Sequence, residues 1–235
     1  MLERLSEAFK IQRQFTENAA HELRTPLSLM QIQLDLYNSG KHPGNDADTI
    51  QTIKMLTEQN ERLSKMVKTL LDMSELQTVG RDETIIVNAL VDEVLADLEP
   101  LAQEKNIKLI GKCKDVNMVG SDILIYRLVY NLVENAIKYN HSGGQVIVEA
   151  YQKEKQVYLS VEDTGSGIPE ELKERVFEPF FRVDKSRSRE LGGVGLGLAL
   201  VNEIVRVHDG SIAIRPNPSG GTIIEVQFAV NRTTA

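Results

Sequence analysis

A histidine with an acidic neighbour is the first feature of the sequence that could do chemistry. In the segment Phe15–Leu27, His21 comes one residue after a position of an apolar helical stripe, so its ring is predicted to point away from that stripe. Glu22 could polarise an imidazole proton, and Pro26 is expected to kink the helix one turn later. A solvated surface histidine is the alternative. Thr25 stands where a zinc-binding His-Glu-x-x-His helix has its second histidine, which excludes that site.

The segment Asn131–Asn140 places amide and ammonium groups at helical spacing. Asn131 and Asn135 are four residues apart and therefore share one helix face, and Lys138 lies close to that face. Two amide oxygens and an ammonium could hold a hydrated Mg²⁺ and phosphates. A polar, solvated helix face would give the same pattern, so these residues alone leave both interpretations open.

Two glycine-rich segments supply backbone that a flat ring or a phosphate could approach. Asp163 follows a predicted strand and could accept a hydrogen bond from an exocyclic amine, while Gly165 and Gly167 remove side chains beside it. A surface turn is the alternative there. The run Gly192–Gly197 opens a predicted helix, where free backbone N–H groups attract phosphate oxygens. It is no Walker loop, because the Gly-Lys-Ser/Thr ending is absent, and no strand leads into it as in a dinucleotide fingerprint.

A polar stretch between these two segments is predicted to be a mobile lid. It follows Phe177–Arg182, runs from Val183 to Glu190 and is poor in aromatic residues. Its basic side chains could pair with phosphate, although a solvated loop is the alternative for some of them. These basic residues are Arg182, Lys185, Arg187 and Arg189.

The first 77 residues contain His21 and are predicted to form two helices. Apolar side chains recur at spacings of three and four from Leu23 to Tyr37 and again from Ile53 to Leu70, which is typical of helices in a coiled-coil-like bundle. Helix-breaking residues in the range 38–45 predict a turn between two helices, the second running from about Asp46 to Gln77. Two such hairpins docking as a symmetric four-helix bundle would bury both stripes, so this half is predicted to dimerise.

The second half mixes short strands with helices. Helices are expected over Asn88–Lys105, with a kink or break at Pro100, from a cap at Ser121-Asp122 to Tyr139, and over Leu196–His208. Strands are predicted at Thr84–Val87, Ile107–Gly111, Val116–Val119, Val146–Tyr151, Val157–Glu162, Ser211–Arg215 and Thr222–Ala229. This order favours an α+β sandwich with helices on one face of a mixed sheet. We expect His42, His141 and His208 to lie in loops or on the surface.

Composition narrows the class of protein. The chain has 235 residues, a net charge of −7 and 41% hydrophobic residues, which is ordinary for a globular protein and argues against a nucleic-acid-binding surface. The single cysteine, Cys113, excludes a disulfide framework. No apolar stretch is long enough to span a bilayer and no signal peptide follows Met1, so the chain as given is expected to be cytoplasmic.

In this order and spacing, the segments make the chain resemble the cytoplasmic catalytic core of the sensor histidine kinases of two-component systems. The resemblance extends from about residue 10 to 230. Departures are small: Asn140 replaces a common Ser or Thr, and Asp209 replaces a frequent glycine. The matching segments are His21–Pro26 for the H-box, Asn131–Tyr139 for the N-box, Phe177–Phe181 for the F-box, and Asp163–Gly167, Gly192–Gly197 and Gly220–Thr222 for three glycine boxes.

The resemblance implies a fold, a reaction and partners. A helical hairpin of a dimeric four-helix bundle (1–78) and a linker (79–83) would precede a Bergerat ATP-binding sandwich (84–235). His21 would accept the γ-phosphoryl group of ATP, and an aspartate of a response regulator would receive it next. The family also implies a homodimer, and a parent protein that can be anchored in the bacterial membrane through an upstream sensor.

The resemblance also assigns roles to single residues. Glu22 would be the general base, and Thr25 would support dephosphorylation of the regulator by placing a water, which makes the chain a candidate for both kinase and phosphatase activity. Asn135, with Asn131, would bind Mg²⁺. At the phosphates the contacts would be Lys138 and either Arg182 or another basic residue of the lid. Tyr139 would lie in the pocket wall and Asp163 at the adenine amine. The pocket and lid would be shaped by Gly165, Gly167, Gly193, Gly195, Leu196 and Gly197.

Two other functions are weighed against the kinase. An ATP-driven conformational module of the gyrase, HSP90 or MutL type would need a water-activating glutamate four residues before Asn135, where this chain has Asn131. The H-box would also have no purpose in such a module. A scaffold with a degenerate nucleotide site would be expected to lack Asp163 or Asn135, and both are present.

Overall fold

Two long helices open the chain, as the apolar stripes predict. The computed structural model describes residues 2–38, 46–76, 78–183 and 194–230. Helix α1 spans Leu2–Asn38 and packs along α2, which spans Asp46–Glu75. Helix α1 continues through Pro26, whose side chain is buried. The helical hairpin is therefore confirmed, while its predicted turn, and His42 within it, lie outside the described residues.

A mixed sheet forms the second half of the chain, which confirms the predicted α+β fold class. The elements are β1 (Glu83–Ile86), α3 (Val87–Glu104), β2 (Lys108–Cys113), β3 (Asn117–Gly120), α4 (Asp122–Lys138), β4 (Gln145–Lys153), β5 (Gln156–Asp163), α5 (Gly197–Val207), β6 (Ser211–Pro216) and β7 (Thr222–Ala229). The strand order of the sheet is β2-β4-β5-β7-β6, with β2 and β4 parallel and the other neighbours antiparallel, and β1 pairs separately with β3.

The core lies between one face of this sheet and helices α3, α4 and α5. Alternate residues of the central strands, such as Val148, Leu159 and Val226, are paired across the sheet and buried in one cluster with side chains of all three helices. Each such aliphatic side chain contributes roughly 1.5–3 kcal/mol by leaving water. The opposite face carries Tyr151 and Tyr158, whose rings stack at 5.1 Å. The predicted packing of helices on one face is thus confirmed.

A kink or break was predicted at Pro100, and the break is wrong. Helix α3 is continuous from Val87 to Glu104 with Pro100 inside it. A proline removes one backbone donor from the helix. The fully packed side chains of Leu98 and Ala102, 1% and 0% exposed, hold the helix to the sheet on both sides of that position.

Helix α4 begins directly after Ser121, as predicted, but two details near its start differ from expectation. The Ser121 hydroxyl makes no capping hydrogen bond, and instead Glu83 Oε2 accepts the N–H of Asp122 at 2.9 Å.

His208 was expected at the surface but is only 4% exposed, and its Nε2 accepts the N–H of Ser121 at 3.1 Å. His208 Nδ1 lies 2.8 Å from the carbonyl oxygen of Ile204, which fits a neutral ring protonated at Nδ1. These interactions anchor α4, and with it the N-box. His141 is exposed, as expected.

A small apolar cluster docks the sheet half onto the helical hairpin. Met66 of α2 is buried with Val194 and Leu196, at the start of α5. The ring of Phe15 on α1 lies 5.8 Å from the ring of Phe180. Both helices of the hairpin therefore contact the segment that precedes α5. Within the described residues, no helix is apolar and long enough to cross a membrane.

Candidate active site

A cavity of about 370 Å³ lies between α4, the end of β5 and the start of α5. Most of the residues predicted to bind nucleotide line it, although they come from segments far apart in the chain. These residues are Asn131, Asn135, Lys138, Tyr139, Asp163, Gly167, Gly195, Leu196 and Gly197. Gly165 lies beside the cavity against Tyr139, and Gly193 lies outside the described residues.

The two asparagines form the side of the cavity that faces α5. The side-chain amide of Asn131 donates to the carbonyl oxygen of Arg127 at 2.7 Å, which fixes the direction of its Oδ1. A side chain at Gly197 would place its Cβ 2.9 Å from that Oδ1, so it would displace the amide of Asn131. The side-chain amides of both asparagines, with Asn131 Oδ1 and Asn135 Nδ2 facing Gly197, thus lie near a helix N-terminus, where anions are favoured.

Asp163 is held in the cavity wall by hydrogen bonds. Its Oδ1 accepts the backbone N–H groups of Gly165 at 2.8 Å and Thr222 at 3.3 Å. Burial raises the pKa of the Asp163 carboxyl, although these two hydrogen bonds work in the opposite direction. Gly165 is required sterically, because a Cβ there would lie 2.5 Å from the carbonyl oxygen of Tyr139. Asn217 completes the frame by donating to the carbonyl oxygen of Asp163 at 2.8 Å.

Gly195 joins the F-box to the entrance of α5. It has a φ of +78°, and a Cβ there would lie 2.7 Å from the carbonyl oxygen of Phe181. Its own carbonyl accepts the N–H of Phe180 at 2.8 Å. A larger residue would therefore be strained and would push these two segments apart.

Sequence reasoning missed two charged residues of this cavity. Glu134 Oε1 lies 2.9 Å from the ammonium of Lys138 and 2.6 Å from that of Lys65, which comes from helix α2. Burial, reinforced by the charge of Lys65, lowers the pKa of Lys138 to about 8 despite the opposing charge of Glu134. The spacing of four between Glu134 and Lys138 was a signal for their pair. No local pattern marks Lys65, which is 69 residues from Glu134.

The acidic neighbour of His21 is paired with an arginine of the sheet half. Arg182 Nη2 lies 2.8 Å from Glu22 Oε2 and also donates to the carbonyl oxygen of Val194 at 3.1 Å. Arg62 of α2 approaches the same Glu22 oxygen at 3.5 Å. His21 itself is exposed on α1. The structure therefore places Arg182 beside the histidine segment and not in the cavity wall.

Other predicted residues are placed as follows. Thr25 is exposed one turn after His21, and its hydroxyl donates to the carbonyl oxygen of His21 at 3.3 Å. The lid beyond Val183, with Lys185, Arg187 and Arg189, lies outside the described residues.

Apolar side chains of the predicted stripes are exposed on the hairpin. Leu27 is 54% exposed and Ile53 58% exposed, and the others in this set are Leu34, Tyr37 and Val67. This is an unusual concentration of exposed apolar side chains for two helices.

Comparison with known proteins finds two family models in succession along the chain. Residues 11–79 match the His Kinase A (phospho-acceptor) domain. Residues 120–232 match the histidine kinase-, DNA gyrase B-, and HSP90-like ATPase. The two matches follow the order of the hairpin and the sheet half.

Curated relatives match almost the whole chain. The sensor histidine kinase RppB of Synechocystis is 34% identical over 231 residues, which cover 95% of this chain and 50% of RppB. The sensor protein CutS of Streptomyces coelicolor is 35% identical over 236 residues, covering 98% of this chain and 56% of CutS. This chain spans about half the length of these relatives.

Solved structures share the architecture. The histidine kinase AdeS of Acinetobacter baumannii superposes with a TM-score of 0.74 and 26% identity, over 90% of this chain and 98% of AdeS. The histidine kinase ThkA, in complex with the response regulator protein TrrA, gives a TM-score of 0.78 with 25% identity, over 96% of this chain and 64% of that one.

Proposed function

Because the chain belongs to the histidine kinases of two-component systems, we propose that it transfers the γ-phosphoryl group of ATP to His21 and then to an aspartate of a response regulator. One observation carries the proposal. Arg182 reaches from the sheet half to Glu22, at 2.8 Å, so that the half with the nucleotide cavity is held beside the histidine. The response regulator is supported by ThkA, which was solved with such a partner.

The cavity suits ATP along its whole length. Asp163 offers a carboxylate to the adenine amine, and Lys138 and the first turn of α5 at Gly197 offer positive charge to the phosphates. The amide oxygens of Asn131 and Asn135 are the hard ligands that Mg²⁺ prefers. Among the described residues no group of three His, Cys, Asp or Glu side chains could hold a metal, so such an ion would take its other ligands from phosphate and water. Bound there, Mg²⁺ would neutralise phosphate charge.

The proposed transfer forms a nitrogen–phosphorus bond at His21 and breaks the bond between the γ-phosphorus and the oxygen that leaves with ADP. Glu22 takes the imidazole proton as the ring attacks. Arg182 steadies the γ-phosphoryl oxygens. Since Arg182 holds Glu22 in the present arrangement, we expect the two halves to dock differently when the transfer takes place.

We further propose that two hairpins form the kinase dimer. The exposed stripe residues, among them Leu27 and Ile53, would then pack in a four-helix bundle. In this proposal residues 1–78 are the dimerisation and phosphoacceptor domain, residues 79–83 the linker and residues 84–235 the ATP-binding domain.

Labelled ATP tests the proposed reaction directly. With γ-labelled ATP and Mg²⁺, the protein should acquire label that is lost in acid and retained in alkali, as a phosphoramidate is. ATP hydrolysis without labelled protein would favour a conformational ATPase of the gyrase type. Label that survives acid would contradict histidine as the acceptor.

Thr25 is expected to separate kinase from phosphatase activity. Its hydroxyl lies one turn from His21 on an exposed part of α1, where it could hold a water near an arriving phospho-aspartate. Thr25→Ala should slow dephosphorylation of the regulator by about tenfold or more, a loss of about 1.4 kcal/mol, while most autophosphorylation and phosphotransfer persist. Thr25→Ser should retain all three reactions.

The assay uses the cognate regulator, phosphorylated beforehand, with and without ADP. Ser28→Ala is a matched control, because Ser28 is also an exposed hydroxyl residue of α1. If Thr25→Ala slowed phosphotransfer as much as dephosphorylation, Thr25 would serve only to shape the helix before Pro26.

A further inference from the structure

The helical hairpin supplies a charged side chain to the wall of the nucleotide cavity. Lys65 and Thr69, one turn apart on α2, line it together with residues of the sheet half. The ammonium of Lys65 lies 2.6 Å from Glu134 Oε1 on α4. This ion pair joins the two halves at the end of the cavity where the phosphates are proposed to bind.

Glu134 is shared between two ammonium groups. Lys138 contacts the same oxygen, Oε1, at 2.9 Å, and the side chains of Glu134 and Lys138 are only 12% and 15% exposed. A carboxylate that contacts two ammonium groups at these distances is a largely buried anion, and Glu134 directly precedes Asn135 in the chain.

A carboxylate at this place opposes nucleotide binding in two ways. It repels phosphate oxygens, and it holds Lys138, the cation that would otherwise turn to them. If Lys138 left and no other cation remained, Glu134 would become an unpaired, buried charge, which is strongly destabilising. Lys65 avoids this unpaired charge, because its ion pair with Glu134 can persist when Lys138 leaves. With a half-exposed side chain, Lys65 can follow small movements of α4.

We propose that Lys65 is a positioning residue for the nucleotide: by neutralising Glu134 it frees Lys138 for the phosphates, so that nucleotide binding and docking of the sheet half onto the hairpin strengthen each other. The inference rests on the proposed ATP site. Such coupling is reciprocal, so the nucleotide should also favour the docked arrangement.

A double-mutant cycle on the full chain tests the role of Lys65. The dissociation constant of the non-hydrolysable ATP analogue AMPPNP with Mg²⁺ is measured by calorimetry for the parent protein, Lys65→Met, Glu134→Gln and the double variant. Lys65→Met should weaken binding about tenfold when Glu134 is present and less than about twofold in the Glu134→Gln background. Lys65→Arg should retain most of the affinity. Lys68→Met, an exposed lysine on the same helix, is the matched control.

The outcomes separate the inference from the function on which it rests. An equal loss from Lys65→Met in both backgrounds would mean that Lys65 binds phosphate directly, and it would overturn the proposal. An unchanged dissociation constant for Lys65→Met in the parent background would overturn it as well. If the parent protein itself bound no AMPPNP, the proposed function would fail first. Thermal unfolding of each variant identifies any that is not folded.

Discussion

Replacement of His21 by glutamine is expected to abolish labelling of the protein by γ-labelled ATP. Glutamine keeps a polar side chain on α1 but has no imidazole nitrogen to attack the γ-phosphorus. His21 is exposed and does not line the nucleotide cavity, so the dissociation constant for AMPPNP should stay within about twofold of the parent value. The variant should therefore lose labelling while it still binds AMPPNP. A variant that fails to fold could not show this combination.

The matched control for this variant is His141→Gln. His141 is likewise exposed, in the loop that follows α4, and it has no role in the proposed transfer. It should label at the parent rate. If His21→Gln still acquired label that is lost in acid and retained in alkali, the acceptor would have to be a nitrogen of another side chain, and Thr25 and Glu22 would lose their proposed roles with it.

Local sequence patterns predicted the elements and the walls of the cavity. The spacing of apolar residues in the first half predicted both helices, and the alternation in runs such as Val146–Tyr151 predicted strands with one buried face. The spacing of Asn131 and Asn135 placed both amides on one face of α4, and the structure puts both in the cavity wall. These predictions succeeded because each depends only on the geometry of a single helix or strand.

Contacts between the two halves were not predictable in the same way. The pair of Arg182 with Glu22 joins residues 160 positions apart, and the pair of Lys65 with Glu134 joins residues 69 apart. Periodicity gives the face on which such a side chain lies but not the surface that docks against it. The expectation that Arg182 contacts phosphate stays a prediction, and no sequence pattern indicated that this arginine also pairs with Glu22. His208 was misplaced similarly, since only the packing of α5 against α4 shows that it binds the N–H of Ser121.

Asp163→Asn is expected to weaken ATP binding by roughly 1–3 kcal/mol, the cost of an unpaired buried polar group, without unfolding the protein. An asparagine can keep its Oδ1 in the place where Asp163 accepts the N–H groups of Gly165 and Thr222. These two hydrogen bonds in the cavity wall are then preserved. The second oxygen, however, becomes an NH₂ group, which would meet the amine of adenine donor to donor.

The same replacement should change the choice of nucleotide. Guanine carries a carbonyl oxygen where adenine carries its amine, so an NH₂ group at position 163 can donate to it. Calorimetry should therefore show a larger loss of affinity for ATP than for GTP, each with Mg²⁺. Glu162→Gln provides the control, because Glu162 is the adjacent acid on β5, does not line the cavity and should leave both affinities unchanged. An equal loss for both nucleotides would indicate that Asp163 only supports the loop from Gly165 to Gly167, and an unchanged ATP affinity would remove it from the adenine site.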